Sequence, residues 1–280
     1  MTLLRPLPGV PLDNLINGLR DAAREAGNVH GSAAGRGWGE VQAAYRRWAQ
    51  DTETTLALQL SPADLEAILH TKRYWAIQTM LAGNEALLPL IFFEVDERKR
   101  ELEATAKALQ RIRDRWSHRP GTIMVPDTNL FLEYSQTFDY IDWRTAGGSR
   151  AETHVVIPLV VVDQLDQLKR TGRDQAKKRA QWTLRRLNQL LPHNPANRVR
   201  LREYEGEPWA TVWLEVLVDD PEHMRLADAD AEIVDRAQYL AAVSERPVKL
   251  LSQDLGLHLR ARMVDLDAEW PAEPEGEGKE

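Results

Sequence analysis

One stretch constrains the rest of this chain more than any other: Thr122-Ile-Met-Val-Pro-Asp-Thr-Asn-Leu-Phe-Leu132. Ile123 to Val125 is an apolar run of the length of a buried strand, and it stops at Pro126 and Asp127. In an open α/β sheet, ligands collect at the carboxyl ends of the strands. A carboxylate at that position can hold a cation without disturbing the core. Asp127 is therefore a candidate ligand, and the rest of the chain is read for acids that converge on it.

Before this stretch the pattern is helical throughout. Asp13 to Ala26 reads as one helix, and the glycine-rich segment 27–39 as a loop. That loop ends in no Gly-Lys-Ser/Thr and follows no strand, so it is not a phosphate loop. Val41 to Leu60 reads as a second helix. Ser61-Pro62-Ala63-Asp64 is a start signal, with Ser61 as N-cap and Pro62 at the first helical position, for a helix running to about Met80. Phe92 to Trp116 is long and highly charged, with opposite charges three and four residues apart, the pattern of an exposed helix. His118-Arg-Pro-Gly121 ends this region and marks a domain boundary.

After Gly121 the texture changes to strand–helix alternation. Thr153 to Ile157 is a second buried strand, and Pro158 opens a helix through about Lys169. Arg173 to Leu191 is a helix with Ala176, Ala180, Leu184, Leu187 and Leu191 on one face. Arg198 to Arg202 reads as a short strand, and Trp209 to Leu217 as another strand or a short helix. Asp230 to Val243 is helical, Val248 to Leu251 is a strand and Leu255 to Met263 a short helix. Strands separated by helices imply parallel pairing and a three-layer α/β domain. The expected organisation is an all-helical region over 1–119, an α/β domain over 120–268, and an acidic, disordered tail over 269–280.

Composition narrows the chemistry. The 280 residues include no cysteine, which removes disulfides and thiolate metal sites and fits a reducing cytoplasm. No apolar run is long enough to span a bilayer, and the first residues lack a signal-peptide core. The net charge of −7 is uneven: residues 265–280 hold seven acids against one lysine, so the other 264 residues carry about −1. Such a balance neither recommends nor excludes nucleic acid.

Two further acids occupy positions like that of Asp127. Asp254 follows the last strand in Leu250-Leu-Ser-Gln-Asp254, and Asp230 lies where a helix begins in Asp228-Ala-Asp-Ala-Glu-Ile-Val234. Carboxylates crowded together repel unless a cation neutralises them. With oxygen ligands only, Mg²⁺ or Mn²⁺ is the expected ion. Together with Val125-Pro-Asp-Thr-Asn129 and Val156 to Lys169, these segments resemble, in order and spacing, the PIN-domain nucleases over roughly residues 120–266. The resemblance implies a parallel sheet and a metal-dependent endoribonuclease. Asp127, Asp230 and Asp254 match the family's acids, and Asn129 and Ser252 match the polar residues that support them.

One position departs from that pattern. Gln164 stands where the family places a glutamate, directly before Leu165. An amide offers oxygen but no charge, so Asp163 or Asp166 is the acid expected to compensate. The alternative is a catalytically weak or inactive module that binds RNA or protein. Lys169, Arg170, Arg173 and Lys177 begin a basic helix that is either a solvated face or an RNA backbone surface. Trp182 and Trp209 are candidates to stack on bases. The N-terminal helices are a candidate platform for a protein partner, and homo-oligomerisation is left open.

Overall fold

The computed structural model describes residues 4–31, 38–80, 88–146, 152–191, 197–204, 207–219 and 223–271. They fall into two compact units, Met1–His118 with Ala242–Glu245, and Arg119–Ala241 with Arg246–Glu280. No described helix is long and apolar enough to cross a membrane.

The first unit contains helices α1 (Leu12–Gly31), α2 (Trp38–Leu56), α3 (Pro62–Leu69), α4 (Lys72–Thr79) and α5 (Leu88–Ser117). The stripe Leu12, Leu15, Ile16, Leu19, Ala22, Ala23, Ala26 and Val29 buries one face of α1. That stripe runs past Gly27, so α1 continues to Gly31 instead of ending at Ala26. Burying Val29 outweighs the roughly 1 kcal/mol that glycine costs inside a helix. Residues 32–37 of the expected loop lie outside the described residues. Ser61 caps α3 as its sequence indicates, its Oγ accepting from the Asp64 N–H at 3.1 Å. The helix then stops at Leu69, because Thr71 is a second N-cap whose Oγ1 accepts from the Tyr74 N–H at 3.0 Å. One expected helix is therefore two.

The second unit is built on a six-stranded sheet of order β3-β4-β2-β1-β5-β6. The strands are β1 (Thr122–Pro126), β2 (Thr153–Pro158), β3 (Arg198–Tyr204), β4 (Glu207–Leu217), β5 (Val248–Leu251) and β6 (Asp267–Glu269). Every pairing is parallel except the β3–β4 hairpin. The helices are α6 (Thr128–Glu133), α7 (Trp143–Ala146), α8 (Leu159–Thr171), α9 (Asp174–Leu190), α10 (Ala229–Ser244) and α11 (Leu255–Met263). The ambiguous segment ending at Leu217 is the long strand β4, whose Thr211, Val212, Leu214 and Glu215 are buried. Gly121 enters the sheet at φ +104, and a Cβ there would collide with the carbonyl oxygen of Glu152, so only glycine fits. Glu269, expected to open a disordered tail, instead pairs with Leu251 in β6. Residues 272–280 of that tail lie outside the described residues.

The strand order locates a crevice. From β1 the chain steps to β2 and on to β4 on one side, then returns through α10 to place β5 on β1's other edge. The connections leave β1 in opposite directions, and ligands bind at such a switch point, beyond the carboxyl ends of the strands. Pro126 lies opposite Leu251 in the β1–β5 register, and the Asp127 N–H donates to the Leu251 carbonyl at 3.0 Å. Asp127 and Ser252, the next residue of each strand, are thereby brought side by side.

Candidate metal centre

Asp127 leaves β1 as the N-cap of α6, its Oδ1 accepting from the Leu130 N–H at 3.0 Å. Its Oδ2 accepts from the Ser252 hydroxyl at 2.5 Å. The side chain is buried, and burial pushes its pKa up, while the Ser252 and Leu130 hydrogen bonds lower it. The charges of Asp230 and Asp254 raise it further. Asp254 caps α11, its Oδ1 accepting from the N–H groups of Gly256 at 2.6 Å and Leu257 at 3.3 Å. The Asp254 N–H donates to the Ser252 Oγ at 2.9 Å. One hydroxyl thus links the two strand-end aspartates.

Asp230 opens α10 and is half-buried. Burial raises its pKa, the neighbouring charges of Asp228 and Asp254 push the same way, and Arg260 opposes them. The Arg260 guanidinium lies 3.5 Å from Asp230 Oδ2 and 3.2 Å from Asp228 Oδ2. Nothing in the sequence singles out Arg260. It is found only because α11, begun by Asp254, carries it back beside the start of α10. The three aspartates named from sequence therefore act on one another electrostatically in one crevice. They offer hard oxygen donors and three negative charges, the donor chemistry of Mg²⁺ or Mn²⁺.

The supporting residues divide. Gln164 is half-buried, its Oε1 accepting from the hydroxyl of Thr128, the residue after Asp127. Asn129 is half-buried in the first turn of α6. Asp163, expected to compensate for Gln164, is exposed and paired with Arg225 at 2.5 Å. Asp166 pairs with Lys169 at 3.4 Å and with Arg170. Asp163 is thus engaged by an arginine from the segment before α10, and Asp166 by two cations of α8 itself. On the basic surface, Lys169, Arg170, Arg173, Lys178 and Arg185 are exposed and Lys177 half-buried. Arg179 and Arg186 are instead structural, holding the backbone carbonyl of Tyr134 and the carboxylate of Asp139. Trp182 is half-buried and packs edge-on against Phe138, with ring centroids 5.8 Å apart. The Trp209 side chain lies outside the described residues.

A second cluster draws donor atoms of Asp219, His223 and Glu232 within 4.8 Å of one another. No other trio of described histidine or acidic residues is drawn that tight, the crevice aspartates included. Its carboxylates are already paired: Arg225 lies 2.5 Å from Asp219, Arg236 lies 3.4 Å from Glu232, and His223 Nε2 donates to Glu232 at 2.6 Å. This is an ion-pair network anchoring the segment before α10.

The fold is a mostly parallel α/β sheet with helices, and its strand order reverses at β1, beside Asp127. The family model described as the PIN domain matches residues 124–271, just over half of the chain, and the chain belongs to that family. PIN domains form a nuclease-like family that generally uses divalent metal ions and binds RNA. Comparison with curated proteins finds no match.

Proposed function

We propose that this protein is a metal-dependent endoribonuclease that hydrolyses RNA phosphodiester bonds at the crevice formed by Asp127, Asp230 and Asp254. The observation that carries the reading is the Ser252 hydroxyl, which joins Asp127 to Asp254 while Asp230 stands within electrostatic reach of both. These carboxylates would hold Mg²⁺ or Mn²⁺. When bound, such an ion supplies Lewis acidity toward a phosphate oxygen and lowers the pKa of water.

The chain's own groups do the rest. Burial and mutual repulsion make it costly to keep Asp127 and Asp230 both ionised, so the crevice favours a cation. Ser252 and the Leu130 N–H fix the two oxygens of Asp127, so its orientation is set before substrate arrives. Arg260, at the mouth and partly exposed, offers a cationic donor to the anionic backbone of RNA. Lys169 and Arg170 at the end of α8, with Arg173 and Lys177 at the start of α9, would offer further cations to an RNA backbone. The test is cleavage of a single-stranded RNA by purified protein with Mg²⁺ or Mn²⁺. Asp127→Asn should abolish cutting while the protein stays folded, and undiminished cutting would refute the reading.

A second reading, an RNA- or protein-binding module with little catalysis, is favoured by one observation. The Oε1 of Gln164 accepts from the Thr128 hydroxyl, and the amide brings no negative charge to the position. RNA binding without cleavage by the wild type, and cleavage gained by Gln164→Glu, would select it.

A further inference from the structure

Ser252 does more than hydrogen-bond to Asp127. It is fully buried, and each of its polar groups is engaged. The hydroxyl donates to Asp127 and accepts from the Asp254 N–H. Its own N–H donates to the carbonyl of Glu269 in β6 at 3.2 Å. Its carbonyl accepts from Nε2 of His258 at 2.9 Å. His258 lies on α11 and is itself buried, so water does not compete for that bond. The indole of Trp270 stacks on its ring, with centroids 4.9 Å apart and planes 21° from parallel. Trp270 immediately follows β6, so the segment that holds the Ser252 N–H also covers the imidazole that holds its carbonyl.

We propose that His258, held by Trp270, is the positioning residue that fixes the Ser252 turn and, through its hydroxyl, the Asp127 carboxylate and the backbone N–H of Asp254. The inference rests on the reading that these aspartates hold a divalent ion. The physical reason is the tightness of the turn. A serine whose backbone can rotate loses one hydroxyl contact or the other; one pinned at both N–H and C=O donates to the Asp127 carboxylate while accepting from the Asp254 N–H. The imidazole is well suited to this, because a buried ring with one donor nitrogen aimed at a carbonyl has few other arrangements. Residues that orient metal ligands typically matter by about ten- to a hundredfold in metal affinity.

The test is Mn²⁺ titration by calorimetry of the full chain, with the thermal midpoint of the metal-free protein measured in parallel. Wild type binds; His258→Leu, which keeps the volume and removes the donor, binds about ten- to a hundredfold more weakly. His258→Gln, whose amide N–H₂ reaches the same carbonyl, stays within a few-fold of wild type. A residue that only fills space would lower the metal-free midpoint in both variants and leave the dissociation constant unchanged. Unchanged Mn²⁺ affinity in His258→Leu, or equal losses in the leucine and glutamine variants, overturns the proposal. Should His258→Leu fail to fold, Trp270→Ala takes its place: it removes only a half-exposed ring, a severalfold loss of affinity supports the proposal, and no loss overturns it. Failure of the wild type to bind Mn²⁺ is a different result, which removes the carboxylate reading and this proposal with it.

Discussion

Gln164 stands where the resemblance to the family implies a glutamate. It supplies an amide oxygen already bonded to the Thr128 hydroxyl, where a carboxylate would add a negative charge. Gln164→Glu keeps that acceptor and the side-chain volume, so the fold should be unaffected. The added charge should tighten Mn²⁺ binding by about tenfold, about 1.4 kcal/mol, read by calorimetry. An unchanged constant would mean that the side chain lies too far from the ion to matter. The departure of Gln164 from the family pattern is legible in the sequence, and so are Asp127, Asp230 and Asp254. The position of Asp163 is not, because its orientation is decided by Arg225, sixty-two residues away. Arg260 was missed for a related reason. An arginine on a short helix carries no signal until the fold brings that helix beside the start of another. Its removal in Arg260→Ala should lower the cleavage rate while leaving Mn²⁺ binding intact or tighter, since a competing cation has been taken from Asp230. Loss of Mn²⁺ binding in that variant would contradict this role.

Among the elements, α5 is the most instructive. Its alternating charges describe an exposed helix, yet Glu94 is fully buried and Arg98 nearly so. Ile91, Val95, Leu102, Ala106 and Leu109 mark the buried stripe, and Glu94 and Arg98 sit within it. Glu94 accepts from Thr71 Oγ1 and Arg73 Nε, each at 2.6 Å, and lies 3.3 Å from Arg98 Nε. Arg98 in turn donates to the carbonyl of Ile68 at 2.7 Å. The carboxylate therefore ties the junction of α3 and α4 to α5. Removing one partner of a buried ion pair leaves the other uncompensated, so Glu94→Ala should cost about 3 kcal/mol, read as a lowered urea midpoint. A change within about 0.5 kcal/mol, the range of an ordinary surface substitution, would show that the pairing is worth no more than a solvated one. Spacing of charge at i, i+4 looks the same on a solvated face and in a buried one. The charge spacing marks the helix, and packing sets its orientation.

For the molecule as a whole, stability against acid has an identifiable source. His154 in β2 is buried, donates from Nε2 to the Pro120 carbonyl at 2.9 Å, and has its pKa lowered to about 4. Burial is the main cause; the Pro120 carbonyl opposes it, and Arg198, Arg119 and Arg246 add to the lowering. The folded pKa lies below the ordinary value of 6.5, so between these values the unfolded chain binds the extra proton. Stability is full above about 6.5 and falls as pH drops toward about 4, by on the order of 3 kcal/mol in all. Urea unfolding between pH 4 and 7 should show that slope, and His154→Gln should flatten it. An equal slope in the variant would place its origin elsewhere.

By itself the sequence determined the change from helix to α/β alternation near residue 120, the strands that end just before Asp127 and Ser252, and the acids that follow them. These follow from local patterns: apolar runs of strand length, capping residues, and acids at run ends. Only the tertiary structure decided that Ser252 links two of the aspartates, that Arg260 joins the third, that Asp163 pairs with Arg225, and that Glu269 and Trp270 belong to the fold. Each depends on which strands are neighbours and in what register. Those choices are made by burial and hydrogen bonding between segments distant in the chain, which no local pattern encodes.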